Sequence, residues 1–180
     1  MIMPPGRKAL PAVLLGFGLC FASCRKEDDA FLFRMEYDQI IALPPGLNTV
    51  ETYTFVIRDL PTHFQALLST HGVAEESVRS VNPGAIRLSD ELNQLDFNRF
   101  EKVSLLASTG DFKNEKEIGY QETIPLNSSN QLQLFPTLVD ARDIFSQNTF
   151  NLRLKIKLRN FLSSTSNMRL RISMNARESQ

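Results

Sequence analysis

The chain has 180 residues, 42% hydrophobic and 22% charged, with 20 Lys/Arg against 20 Asp/Glu. That length and composition suit one ordinary globular domain rather than two. A formal net charge of zero argues against nucleic acid as a partner, because duplex binding depends on many lysine and arginine contacts with phosphate.

The amino terminus is built like a secretory signal. Arg7 and Lys8 form its positive end, and residues 9–22 are an apolar stretch shorter than the ~20 residues of a permanent membrane helix. Small residues, Ala22 and Ser23, come immediately before Cys24. Removing residues 1–23 leaves 157 residues, enough to bury about 68–70% of the unfolded chain's surface in one core. It also removes Arg7 and Lys8, leaving 18 bases against 20 acids, a net of about −2. Cys20 leaves with the signal, so neither a disulfide nor a free thiol is expected.

Phe21-Ala22-Ser23-Cys24 resembles a lipobox, in which a bulky apolar residue and two small ones precede a lipid-bearing cysteine. The run that follows, Arg25-Lys26-Glu27-Asp28-Asp29, is similar to the surface-export tag of Bacteroidota lipoproteins. The resemblance covers about 30 residues. It implies a covalent lipid on Cys24 (diacylglycerol and palmitate), an export signal at Lys26, Glu27, Asp28 and Asp29, and an outer-membrane protein facing the cell surface. The periplasmic face is the alternative. Residues 24–30 then form an acidic tether of at most ~25 Å, which holds a domain of residues 31–178 close to its membrane.

Strand patterns dominate that domain. Residues 31–38 alternate, with Phe31, Phe33, Met35 and Tyr37 on one face, and Pro44-Pro45-Gly46 closes the segment as a loop. Residues 53–58 put Tyr53, Phe55 and Ile57 on one face. A short helix follows: Thr62 and Gln65 have capping-box spacing, Phe64, Leu67, Leu68 and His71 recur at helical intervals, and Gly72 supplies the stop. Strands are predicted at 77–81 and 85–89, split by the turn signal Asn82-Pro83-Gly84. Further strands are predicted at 100–108, 119–126 and 131–135, the last with Leu132 and Leu134 inward. A second short helix is predicted over 138–145, capped by Thr137 with Asp140. Two long alternating strands, 150–159 and 168–176, end the chain. With no βαβ rhythm and no repeat, the reading is an all-β antiparallel sandwich of about eight strands, immunoglobulin-like or jelly-roll, with one or two short helices in its connections.

Catalytic patterns are scarce. His63 and His71 are the only histidines, and two helical turns (~12 Å) separate them, too far to share one metal ion. No Gly-x-Ser-x-Gly elbow, glycine-rich phosphate loop or Asp-x-Asp-x-Asp-Gly calcium loop occurs. Acidic pairs at Glu75-Glu76, Asp90-Glu91 and Asp140/Asp143 would serve a glycosidase only if two of them faced each other across a cleft at ~5–10 Å. No catalytic residue, metal site or cofactor beyond the lipid is assigned.

The strongest remaining signal is electrostatic. Arg153, Lys155, Lys157 and Arg159 alternate with leucines and an isoleucine in the penultimate strand, as do Arg169 and Arg171 in the last. If those strands pair, six cations share one face of a ribbon, compensated by acids such as Glu51, Glu101 and Glu122 or by an anionic ligand. The expected function is a membrane-tethered, non-catalytic sandwich that binds a ligand such as an anionic glycan, or joins other envelope proteins as an accessory subunit. A carbohydrate hydrolase with a carboxylate pair and a purely structural subunit are the alternatives.

Overall fold

The computed structural model describes residues 31–90, 95–128 and 130–178. The signal at 1–23, Cys24, the tether with Lys26, Glu27, Asp28 and Asp29, and Glu91 lie outside the described residues. Eight strands follow in chain order: β1 Phe31–Leu43, β2 Thr52–Pro61, β3 Val78–Ser89, β4 Phe100–Ser108, β5 Lys116–Gln121, β6 Gln131–Pro136, β7 Thr149–Leu158 and β8 Ser166–Glu178. Helix α1, Phe64–His71, lies between β2 and β3, and the four-residue α2, Arg142–Phe145, between β6 and β7.

Every strand pairing is antiparallel. β1 pairs with β8, β2 with β7, β3 with β6 and β4 with β5. That is one long hairpin ribbon of four rungs. Further pairings of β3 with β8 and of β4 with β7 fold the ribbon over on itself. The strand order becomes β1-β8-β3-β6-β5-β4-β7-β2. It divides into two leaves, β1-β8-β3-β6 and β5-β4-β7-β2, joined by Gly119 opposite Pro136 and Tyr120 opposite Phe135. This is the all-β sandwich in its jelly-roll form.

Alternation along each strand sets which side chains enter the core. Leu152, Leu154, Ile156 and Leu158 of β7 are buried, as are Met168, Leu170, Ile172 and Met174 of β8. Phe33, Phe64, Phe97, Phe100, Phe145 and Phe150 are fully enclosed, which accounts for much of the phenylalanine supply. Tyr37, Phe145 and Phe150 meet with ring centroids 4.6–5.8 Å apart. The Tyr37 hydroxyl donates to the Thr62 carbonyl at 2.9 Å, and burial pushes its pKa above the ordinary tyrosine range.

Local departures from the sequence reading have identifiable causes. Residues 78–89 form one strand, because the chain bulges at Gly84-Ala85 instead of turning, with register shifting between Pro83 and Ile86 along β8. Gly84 is required there: a Cβ would lie 2.6 Å from Ser173 Oγ and 2.8 Å from Asn175 Nδ2. β5 begins at Lys116 and ends at Gln121, so residues 122–126 are loop rather than strand. At α1 the cap position is His63, at φ 57°, and not Thr62. The Thr62 hydroxyl accepts from Phe64 N at 3.4 Å and donates to the Gln147 carbonyl at 2.5 Å, tying α1 to the connection before β7. The second helix is shorter than expected because Asp140 Oδ1 accepts from both Val81 N and Arg142 N, which delays its start.

The ribbon also sorts the connections. α1, the 109–115 loop and α2 lie at one end, with the start of β1 and the end of β8. The described parts of the connections 44–51, 90–99, 122–130 and 159–165 lie at the other.

Candidate functional site

The six-cation ribbon expected from sequence does not assemble. β7 pairs with β2 and β4, while β8 pairs with β1 and β3. Arg153, Lys155, Lys157 and Arg159 therefore belong to one leaf, and Arg169 and Arg171 to the opposite one. The expectation assumed that consecutive strands form a hairpin. In this ribbon each pairs with a strand from the first part of the chain.

Most of these cations are occupied. Arg153 meets Glu115 at 3.2 Å and lies 4.8 Å over the Phe112 ring, which also carries Arg58 at 4.6 Å. Lys157 pairs with Glu101 at 3.3 Å. Arg159 donates to the carbonyls of Asn98 at 3.2 Å and Ile124 at 2.9 Å. Glu122 pairs with Lys102, the neighbour of Lys157 across β4, at 2.7 Å. Asp38 serves both Arg169, at 3.4 Å, and Arg171, at 3.2 Å. Among the described residues Lys155 has no such partner and Glu51 reaches none of the six. Of the three acids considered, Glu101 is the one that pairs with a cation of the set.

The outer face of the β1-β8-β3-β6 leaf carries a hollow of about 360 Å3. Its floor is low because the residues there are small and the bulge draws β3 against β8. Ala85 N–H donates to Ser173 Oγ at 2.8 Å, and the same hydroxyl donates back to the Ala85 carbonyl at 3.3 Å. β1 raises Arg34, Glu36 and Asp38 on one rim, because these alternate with the buried Phe33, Met35 and Tyr37. Arg171 of β8 and Arg87 of β3, paired in register, complete the other side. Arg34 Nε donates to Asn175 Oδ1 at 3.1 Å and Arg171 Nε to Asp38 Oδ2 at 3.2 Å, so the terminal nitrogens of both guanidinium groups are not used by these bonds. Among the described residues the side chains of Arg87 and Glu36 have neither ion pair nor hydrogen bond, and both are exposed.

Sequence reasoning anticipated Arg171 here and missed Arg34, Glu36 and Arg87. The alternation of Arg34-x-Glu36-x-Asp38 was visible as a polar face, and Arg87 as a lone base between Ile86 and Leu88. Their convergence depends on β8 lying between β1 and β3, which no local pattern announces.

A second hollow, at the helical end, is lined by Arg79, Lys116, Asp140, Arg142, Asp143 and Ser146. There Lys116 Nζ already bonds the Asp143 carboxylate at 2.6 Å and the Asp140 carbonyl at 2.7 Å. Of the acidic pairs, Asp140 is a backbone acceptor, Asp143 is ion-paired, Asp90 accepts from Leu95 N, and Glu75 accepts from Gln65 Nε2 at 2.9 Å. His71 stacks on Phe33 at 5.8 Å. Among the described residues no group of three or more His, Cys, Asp and Glu side chains is placed to hold a metal ion, and no helix is long and apolar enough to cross a membrane.

No family model matches the chain, and no curated protein does. Among solved structures it is similar to a chain of Desmodium yellow mottle tymovirus, at 11% identity and a TM-score of 0.25, covering 100% of this chain and 96% of that one. It is also similar to a chain of Triatoma virus, at 8% identity and a TM-score of 0.28, covering 98% and 77%. Overlaps this slight say nothing of what the chain does.

Proposed function

We propose that the chain is a lipid-anchored protein of the bacterial envelope, held on the outer membrane through Cys24 and carried to the cell surface by residues 26–29. Its jelly-roll domain works without catalysis, by binding a glycan on the outer face of the β1-β8-β3-β6 leaf. The observation that carries this reading is the open hollow there, with Arg87 and Glu36 unengaged on opposite sides of a floor of small residues. A site of that kind offers directional hydrogen-bonding groups without a deep apolar cleft. With the tether leaving from the start of β1, the helical end faces the membrane and the hollow lies on the flank, open to long ligands.

The test combines location and binding. Protease added to intact cells should remove the protein, and replacing residues 26–29 by alanine should protect it. Native gels cast with soluble polysaccharides should retard the purified protein in at least one case. Unchanged mobility across neutral and acidic polysaccharides would overturn the binding reading.

A second reading, as an accessory subunit, rests on a different observation. Val50, Leu126 and Phe161 are exposed apolar side chains on three connections of the end away from the tether. Co-purification of a stoichiometric envelope protein, lost on Phe161→Ser, would favour it.

A further inference from the structure

We infer that the hollow recognises a carboxylate-bearing sugar residue, of uronic acid type, within a polysaccharide. Arg87 and Arg171 take the carboxylate and Glu36 accepts from ring hydroxyls. The inference rests on the glycan-binding reading and narrows it to a ligand class and to named residues.

Charge comes first. Around the floor stand three guanidinium groups, Arg34, Arg87 and Arg171, and two carboxylates, Glu36 and Asp38. Among these lining groups the formal balance is one positive charge, and Arg169, which shares Asp38, adds a second at the edge, so the hollow attracts an anionic group. Asp38 is committed to the arginines of β8, which leaves Arg87 as the cation that no protein group satisfies. A planar guanidinium presents two parallel N–H groups, the geometry a carboxylate accepts in bidentate fashion.

Glu36 decides between anions. It lies opposite Ser173, and Arg87 lies opposite Arg171. The two are thus on strands flanking β8, ~9.5 Å apart across the sheet and two residues (~7 Å) apart along it, or ~12 Å in all. A dianionic phosphate group filling the hollow would meet the Glu36 carboxylate and be repelled. A sugar ring that carries its one charge at one side and hydroxyl donors at the other satisfies both rims. The floor suits a ring lying flat, since Ala85 and Ser173 raise nothing bulky. At about 360 Å3 the hollow is near the small end of the ~300–1,000 Å3 range of ligand sites, enough for about one ring with its neighbours overhanging the open sides.

The test uses the mature lipidated protein in detergent micelles and calorimetric titration with hexamers of galacturonate, glucuronate and mannuronate. Their methyl esters, maltohexaose and inorganic phosphate are the comparison probes. At least one uronate hexamer should bind, and its methyl ester should bind roughly tenfold or more weakly, as loss of a charge-assisted contact implies. Arg87→Gln should cause a similar loss and Arg87→Lys should restore only part of it. Ala85→Phe, which fills the hollow, should abolish binding, while Lys155→Gln on the opposite leaf should leave it unchanged. Urea midpoints identify any variant that has merely lost its fold, and Arg87→Gln, exposed in the free protein, serves where Ala85→Phe does not fold. Equal binding of acid and ester, or binding indifferent to Arg87, overturns this inference while leaving the broader glycan reading intact. Phosphate outcompeting the uronates overturns the ligand class. Absence of binding to every polysaccharide in the gel assay overturns the underlying reading instead.

Discussion

Gly119 holds the joint between the two leaves, and replacing it with alanine probes that joint directly. It pairs with Leu105 on β4 and with Pro136 on β6, where the β5–β6 pairing carries the sheet from one leaf to the other. An added Cβ would lie 2.4 Å from Ile86 Cδ1 and 3.6 Å from its Cγ1, and Ile86 is fully buried. Without a clash, glycine to alanine stabilises by about 0.4–1 kcal/mol through the unfolded chain. Overpacking a filled core costs about 1–3 kcal/mol. The net expectation for Gly119→Ala is a loss of about 1–2 kcal/mol. Ile86→Val removes the offending Cδ1 at a cost of about 0.5–1.5 kcal/mol by itself. In the double variant the new methyl occupies the vacated space, so the two losses should fall short of their sum by about 1 kcal/mol or more, as contacting positions do. Urea titrations of the four proteins, compared at equal m-value, measure the cycle. Additivity within about 0.3–0.5 kcal/mol, or a neutral Gly119→Ala, would refute the close approach of β5 and β3 at this corner.

Leu154→Ala should cost about 2–5 kcal/mol, because the side chain is wholly buried between Phe55 and Leu105 in its sheet. Lys155→Ala, on the outer face, should stay within about 0.5 kcal/mol, and reversed costs in a denaturant titration would invert the faces of β7. Tyr37 bears on alkaline stability: its phenol is harder to ionise folded than unfolded, so its contribution is complete below the unfolded pKa of ~10 and declines as pH rises above it. Urea midpoints should fall above about pH 10, and Tyr37→Phe should flatten part of that decline; an unchanged slope would discount the buried hydroxyl. Cys24→Ala should abolish incorporation of a labelled fatty acid whereas Cys20→Ala should not, and label retained on the Cys24 variant would refute the anchor assignment.

Patterns whose meaning is local were legible in the sequence. Residues 100–108 read as a strand from their own apolar content, and β4 occupies the same residues. The inner row Leu152, Leu154, Ile156 and Leu158 followed from period-two alternation alone. The Asn82-Pro83-Gly84 signal misled because a bulge and a turn use the same residue types. What separates them is β8 running alongside, with Ser173 close enough to demand glycine. The same limit hid the site. The charges on β7 and β8 were correctly placed on outward faces, yet their neighbours are set by a ribbon that folds over, and pairing across it is non-local. Arg87 mattered only once β1 and β3 flanked a common strand.

That ribbon also dictates when the domain can fold. Its closing rung joins the first strand to the last: the bond from Arg34 to Asn175 spans 141 residues. Loop closure must be met before such distant pairing returns any stability, and non-local β topologies fold in about milliseconds to seconds rather than microseconds. β1 is thus made first and completed last. It has no native strand partner until β8 has left the ribosome. A chain that crosses a membrane amino terminus first benefits from that delay. On the proposed export route, the leading strand would reach the far side with no strand to pair with, and the strand order itself would keep the polypeptide export-competent.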